Sequence, residues 1–247
     1  MTLVITVMNN PGTGAFPLRI EGLGAAGDGV AHHDGHVLFL PGTLPGEEVL
    51  ARFSGTRPEL IEVTHPSADR VAPPCSLFGE CGGCAIQEMS LPALLEWKTA
   101  RVSAALDAAG FEDIPTPGQY QTAPYTRRRM DLAIQRIPGG IILGLHRRNG
   151  DPVDMTECHL LHPELFALLS PLREVLGTLG ALTGRGSLVL NLLDSGPDLT
   201  LSTPAELTSA DRSKLAAFGR AYNLPRISWQ NPKDRSIETV SQTKPVT

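Results

Sequence analysis

Gly22-Leu23-Gly24-Ala25-Ala26-Gly27-Asp28-Gly29 is the stretch on which the fold turns, because its first six residues satisfy G-x-G-x-x-G. Read as a dinucleotide loop, it would open a helix whose N-terminus holds a pyrophosphate, and the fold would be doubly wound α/β. The following residues exclude this. Val30-Ala31-His32-His33 is a short β-type run, Asp34-Gly35 is a hairpin turn signal, and His36-Val37-Leu38-Phe39-Leu40 is the returning strand. With no helix behind the glycines, nucleotide binding here is rejected, and they are read as turn and bulge formers.

Outward from that hairpin, strands are expected at 18–23, 29–33, 36–40, 47–53 and 59–64, punctuated by Pro41-Gly42 and Pro45-Gly46. Four or five short strands with Gly/Pro turns predict a small OB-like β-barrel over residues 1–70. This segment carries eight acidic residues against four arginines, a poor balance for holding phosphates.

Beyond it lies the chain's complete set of cysteines: Cys75, Cys81 and Cys84 in a C-x5-C-x2-C loop, and Cys158 far downstream. A lone cysteine is ordinary core, but three within ten residues, in a loop with Gly79, Gly82 and Gly83, predict a metal centre. Disulfides are disfavoured by the intracellular setting expected for this chain. The 3+1 spacing favours an iron–sulfur cluster over zinc, whose ligands usually come in two paired halves. Zinc stays open because His159, next to Cys158, could serve as a ligand.

A helix is expected from Ser90 to Gly110, with Leu91, Leu95, Val102, Leu106 and Ala109 as its apolar face. Next comes a second hairpin, 127–137 and 141–148 around Pro138-Gly139-Gly140, followed by an Asn149-Gly150 turn. Met130, Leu132 and Ile134 alternate with Arg129, Asp131 and Gln135 along its first strand. Arg127, Arg128, Arg129, Arg136, Arg147 and Arg148 face only Asp131 as an opposite charge within the segment. Such a positive band is as readily a solvated face as a contact for nucleic acid. The remainder predicts a compact α+β unit: helix 162–179, strands 187–194 and 198–202, helix 209–222, and strands near 227–230 and 236–240, with antiparallel pairing.

The 247 residues, 41% hydrophobic and 19% charged with net charge −5, describe a globular chain too acidic to coat nucleic acid everywhere. No apolar run approaches the roughly eighteen residues of a membrane span. Met1–Met8 lacks a basic n-region and is not read as a signal peptide, so a cytoplasmic location is expected.

In order, these features resemble a family. Glu21-Gly22-x-Gly24, Gly27-x-Gly29 and Pro41-Gly42-x-x-Pro45-Gly46-Glu47 precede C-x5-C-x2-C, then Tyr125-x-Arg127-Arg128 and Cys158. The chain resembles the RNA uracil-C5 methyltransferases, particularly the ribosomal-RNA type with an N-terminal TRAM domain. The resemblance implies that Cys75, Cys81, Cys84 and Cys158 ligate a 4Fe-4S cluster. It also implies that the TRAM barrel touches RNA and that Arg127, Arg128, Arg129 and Arg147 are candidate RNA contacts. The implied organisation is a TRAM-like barrel over 1–70, an iron–sulfur loop and helix over 71–110, and an α+β RNA-recognition domain over 111–247.

The family's S-adenosylmethionine domain, with its nucleophilic cysteine and general-base glutamate, has no counterpart in the residues read here. Uracil C5 becomes nucleophilic only after a thiolate adds to C6, and four cluster cysteines leave no such thiolate. No catalytic residue is therefore assigned. The expectation is the substrate-recognition portion of a methyltransferase, inactive alone and monomeric, binding RNA and neither DNA nor membrane. The alternative is a stand-alone RNA-binding module with a structural iron–sulfur or zinc centre.

Overall fold

A computed structural model describes residues 14–148 and 150–247. Met1–Met8 and Asn149 of the Asn149-Gly150 turn lie outside the described residues. Two compact units emerge: one contains the chain up to Pro74 together with Cys84–Gln121, the other Cys75–Gly83 together with Thr122–Thr247.

The first unit holds β1 (Phe16–Arg19), β2 (Gly22–Leu23), β3 (Gly29–His33), β4 (His36–Leu40), β5 (Glu48–Ser54) and β6 (Arg57–His65). Of the disputed glycines, Gly22 opens β2, while Gly24 and Gly27 lie between β2 and β3. Gly24 N–H bonds the Asp28 carbonyl at 2.8 Å, Gly27 N–H bonds the Gly24 carbonyl at 3.0 Å, and Gly27 has φ +87°. They form a tight turn with no helix behind it. Asp34 (φ 48°) and Gly35 (φ 78°) make the two-residue hairpin turn, both left-handed as a type I′ turn requires.

The expected closed barrel is not found among the described residues. The strands form two three-stranded sheets, β1-β5-β6 and β2-β3-β4, which share one core of Leu18, Ile20, Ala31, Leu38, Leu40, Val49 and Ala51. The chain leaves the first sheet at Ile20 and Glu21 and enters the second at Gly22, so no continuous ladder joins the two. A second small core gathers Leu44, Ile86 and Met89 under Leu94 and Trp97 of α1 (Leu91–Ala108). The expected apolar face of α1 is thereby corrected. Leu91 and Val102 are exposed, and contact runs along Ala93, Leu94 and Trp97. Hydrophobic spacing in α1 is too diffuse to fix a face, and the pocket beside Leu44 selects it.

A buried ion pair ties the segment that follows β6 back to Pro45-Gly46-Glu47. The fully buried Glu47 carboxylate accepts from Leu44 N–H at 2.8 Å and Ser67 N–H at 3.2 Å. It also accepts from Arg70 Nε at 2.5 Å and a terminal Arg70 nitrogen at 2.8 Å. Burial alone would raise the Glu47 pKa, but the Arg70 hydrogen bond and the two backbone N–H groups outweigh it and hold the carboxyl low.

In the second unit β7 (Arg129–Ile137), β8 (Gly140–Gly144), β9 (Arg185–Leu193), β10 (Gly196–Ser202), β11 (Arg226–Gln230) and β12 (Ile237–Gln242) form one sheet, ordered β12-β11-β10-β9-β7-β8. The arginine hairpin and the following α+β segment are therefore one sheet, joined where β7 pairs β9 from Arg129↔Asn191 to Gln135↔Arg185. Entirely antiparallel pairing does not hold. β10 and β11 are parallel, because α4 (Ser209–Ala221) carries the chain back between them, as a parallel connection demands.

The single helix expected over 162–179 is two, α2 (Pro163–Ala167) and α3 (Leu169–Thr178). Pro171 explains the break, since it cannot donate to the Ala167 carbonyl four residues back and its ring crowds that oxygen. The hinge residue Leu168 is buried in the core of this unit with Leu132, Ile134, Leu143, Leu172 and Leu190. The second hairpin strand ends at Gly144 rather than 148, because the returning chain pairs beside it: Val153 N–H bonds the Leu145 carbonyl at 2.8 Å and Met155 N–H the Leu143 carbonyl at 3.0 Å. That return leads on to Cys158, which packs against the core of this unit.

Candidate cysteine centre and nucleic-acid interface

The loop from Cys75 to Gly83 coils on itself, with Phe78 N–H on the Cys75 carbonyl at 3.1 Å and Cys81 N–H on the Leu77 carbonyl at 2.9 Å. Gly82 N–H then bonds the His146 carbonyl at 2.9 Å. This approach needs glycine: a Cβ on Gly82 would sit 2.6 Å from the His146 oxygen, and one on Gly83 2.5 Å from the Leu145 side chain. Glu80 pairs with Arg147 at 3.0 Å.

The other side of the loop is fastened beside Cys158. Glu157 accepts from both the Ser76 backbone N–H, at 3.0 Å, and the Ser76 hydroxyl. Its second oxygen bonds His159 Nε2, and His159 Nδ1 meets the Tyr125 hydroxyl at 2.7 Å. Tyr125, held at φ +62°, also donates its N–H to the His159 carbonyl at 2.9 Å. The Ser76 hydroxyl first, then His159 and the Ser76 N–H, bring the Glu157 carboxyl down to about 2. Ser76 adjoins Cys75 and Glu157 adjoins Cys158, so this chain of bonds sets the Cys75 and Cys158 segments side by side. His159, considered as a zinc ligand, has both ring nitrogens engaged by Glu157 and Tyr125, and acts as a bridge instead.

Cys75, Cys81 and Cys158 thus belong to one unit and Cys84 to the other. None forms a disulfide, all are partly buried, and Cys158 packs against the leucine core. Among the described residues no three His, Cys, Asp or Glu side chains are grouped closely enough to hold a metal ion. The donor set, four thiols with soft sulfur, nonetheless suits iron–sulfur ligation. Sequence reasoning overlooked the Ser76–Glu157–His159–Tyr125 chain. Its only signals were Glu157 and His159 flanking Cys158 and the Tyr125 that heads Tyr125-x-Arg127-Arg128.

The candidate arginines are exposed but mostly engaged. Arg128 donates to the Leu192 carbonyl at 2.9 Å and Asp194 at 3.1 Å, and Arg129 to Asn191 at 3.1 Å with Asp131 at 3.9 Å. Arg147 holds Glu80. Arg127 is exposed, while its backbone N–H bonds the Leu160 carbonyl at 2.9 Å. The fold thus corrects the count that opposed the band by Asp131 alone, since Glu80 and Asp194 arrive from elsewhere in the sequence. Arg136 leaves the band altogether, donating to the Gly177, Leu179 and Leu182 carbonyls at 2.6–3.0 Å and capping the end of α3.

The two-sheet unit built on the β3–β4 hairpin has a match. Residues 16–54 match the TRAM domain. Homology to RNA methyltransferases extends over most of the chain. It is 34% identical over 210 residues to an uncharacterized RNA methyltransferase of Mesorhizobium japonicum, covering 85% of this chain and 50% of that protein. It is also 34% identical over 218 residues to the 23S rRNA (uracil(1939)-C(5))-methyltransferase RlmD of Bordetella parapertussis, covering 84% and 47%. The chain spans about half the length of the curated relatives it matches. A solved structure, the Pyrococcus abyssi tRNA (uracil-54, C5)-methyltransferase in complex with S-adenosyl-L-homocysteine, superposes with TM-score 0.57 at 19% identity. It covers 93% of this chain and 54% of that one, a likeness of fold. No helix among the described residues is long and apolar enough to cross a membrane.

Proposed function

We propose that this chain is the substrate-recognition portion of an RNA uracil-C5 methyltransferase that uses S-adenosylmethionine, with ribosomal RNA as the first substrate to test. The observation that carries the reading is 34% identity to RNA methyltransferases over 85% of the chain, running through the TRAM match, the cysteine loop and the arginine hairpin. Along the sequence three segments divide the work: a TRAM segment over 1–70, a cysteine loop and helix over 71–110, and a recognition segment over 111–247. Cys75, Cys81, Cys84 and Cys158 hold a 4Fe-4S cluster, for which the Glu157 network and the Gly82–His146 contact position the loop. Arg127, Arg128, Arg129 and Arg147 contact RNA phosphates.

Catalysis is placed outside this chain because its four cysteines are all assigned as ligands, leaving no thiolate to add to uracil C6. The protein works in the cytoplasm as a monomer.

Anaerobic purification with iron and sulfide analysis, followed by binding to an rRNA fragment over a salt series, tests the reading. Four irons per chain and affinity that falls with salt are expected, with Arg127→Ala/Arg129→Ala weakening the binding. Zinc in place of iron would overturn the cluster, salt-independent binding the arginine contacts, and methyl transfer by the chain alone the placement of catalysis.

A further inference from the structure

The outward face of β3 and β4 is not a solvated polar surface. Val30 and His32 of β3 stand opposite Phe39 and Val37 of β4, and Val37 is 50% and Phe39 54% exposed. Phe39 lies against the turn discussed at the outset: a Cβ on Gly24 would come within 3.0 Å of its ring. The next residue of that turn, Ala25, offers its carbonyl to Arg101 of α1 at 2.6 Å, and the Arg101 guanidinium stacks over Trp97 at 4.9 Å. One turn therefore carries an exposed ring on one residue and an anchored guanidinium on the next. Ala25 uses one of the five guanidinium N–H donors, and Lys98 lies one helical turn before Arg101 on the exposed side of α1.

The size of the face selects its occupant. Two same-face positions on each of two strands span about 5 by 7 Å, the footprint of one aromatic ring. A stable protein interface needs about 800 Å² per partner. A nucleotide matches this pairing of a flat ring with a negative charge, and we infer that Phe39 is the stacking platform for one unstacked nucleobase of single-stranded RNA, with Arg101 holding the adjoining phosphate. This rests on the RNA reading above. It explains how a domain with more acids than arginines engages RNA: contact comes from stacking, which every base permits, and from an arginine supplied by α1 rather than by the sheets.

Fluorescence anisotropy of the full chain with a labelled unstructured RNA of about ten nucleotides, alongside a duplex of equal length, tests the platform. Phe39→Ala and Phe39→Leu should each weaken single-strand binding at least about five-fold, the lower end of base–aromatic stacking. Phe39→Tyr should retain it, and Arg101→Ala should reduce the dependence on salt by about one phosphate. Because Leu preserves apolar bulk and Tyr the ring, the Leu/Tyr contrast separates stacking from folding. Phe39→Leu binding as the wild type does would overturn the platform. If Phe39→Ala is silent while Arg127→Ala/Arg129→Ala weakens binding, the platform fails and the RNA reading stands. A wild-type chain that binds neither RNA sinks both.

Discussion

Replacing Arg70 by methionine removes one half of the buried pair that closes the TRAM unit. Glu47 would remain fully buried and lose two of the four hydrogen bonds on its carboxylate, while the Gly42 carbonyl loses its 2.8 Å partner. Stranding one charge of a buried pair costs about 3–5 kcal/mol. The Arg70 side chain is 23% exposed, so water reaches one side of the gap and the lower end, about 3 kcal/mol, is expected. With a urea m-value of about 2 kcal/mol/M, the midpoint should fall by about 1.5 M.

The reporter is local, because Trp97 packs over Leu44, which adjoins the pair, and the Leu44 amide, bonded to Glu47, should exchange faster. Glu47→Gln combined with Arg70→Met should recover part of the loss, since no buried charge is then stranded. Because the folded pKa of Glu47 lies below its ordinary 4.5, the pair's contribution is present above pH 4.5 and is lost as pH falls through the folded value. A loss under about 1 kcal/mol, or no recovery in the double variant, would refute the reasoning.

Glu88 behaves in the opposite sense. Glu88 is 1% exposed; burial above all, with Glu47 adding, outweighs the backbone N–H groups of Glu88 and Gln87 and the Arg70 charge and pushes its pKa above 4.5. The Glu88 contribution to stability should therefore be fully present below pH 4.5 and be lost as pH rises through the folded value. Glu88→Gln should flatten that decline in thermal scans from pH 5 to 8, and an identical slope in both proteins would count against it. Glu157→Ala should speed amide exchange at Ser76 and Gly82, since the network fastening the cysteine loop is cut; unchanged protection would show that the Gly82–His146 contact suffices. Gly82→Ala should lower the iron retained after anaerobic reconstitution, because a Cβ there meets the backbone of His146, which cannot swing aside.

The β3–β4 hairpin was legible because Asp34-Gly35 encodes its own turn, and β7 because apolar and charged residues alternate along it. Both signals are local. What the sequence hid depends on partners distant in the chain: the Arg70–Glu47 pair, the parallel entry of β11, and the pocket that rotates α1 onto Leu94 and Trp97. The break at Leu168 is readable from Pro171 alone, although a run of leucines continues through it. At the site, the four cysteines announce themselves by type. Tyr125, Glu157 and His159 do not, since each is an ordinary residue until the fold brings Ser76 to Glu157.

The same dependence on distant partners decides how the arginine hairpin can act. In sequence Arg128 and Arg147 belong to a band opposed by Asp131 alone; in the fold each has a carboxylate of its own. Their pairs are half-exposed or more, 54% and 85% for Arg128 and Asp194, 51% and 58% for Arg147 and Glu80. Exposed pairs of this kind contribute only about 0–1 kcal/mol each, whereas a hydrogen bond to a charged group contributes about 1.5–3 kcal/mol. An incoming phosphate can therefore displace Asp194 or Glu80 at little cost. On the proposed reading, the carboxylates would compete with a phosphate for these guanidiniums rather than abolish the contact. On this reasoning Asp194→Asn should tighten RNA binding and steepen its salt dependence, because Arg128 no longer has a competitor, whereas a purely structural Arg128–Asp194 pair predicts lost stability with unchanged affinity.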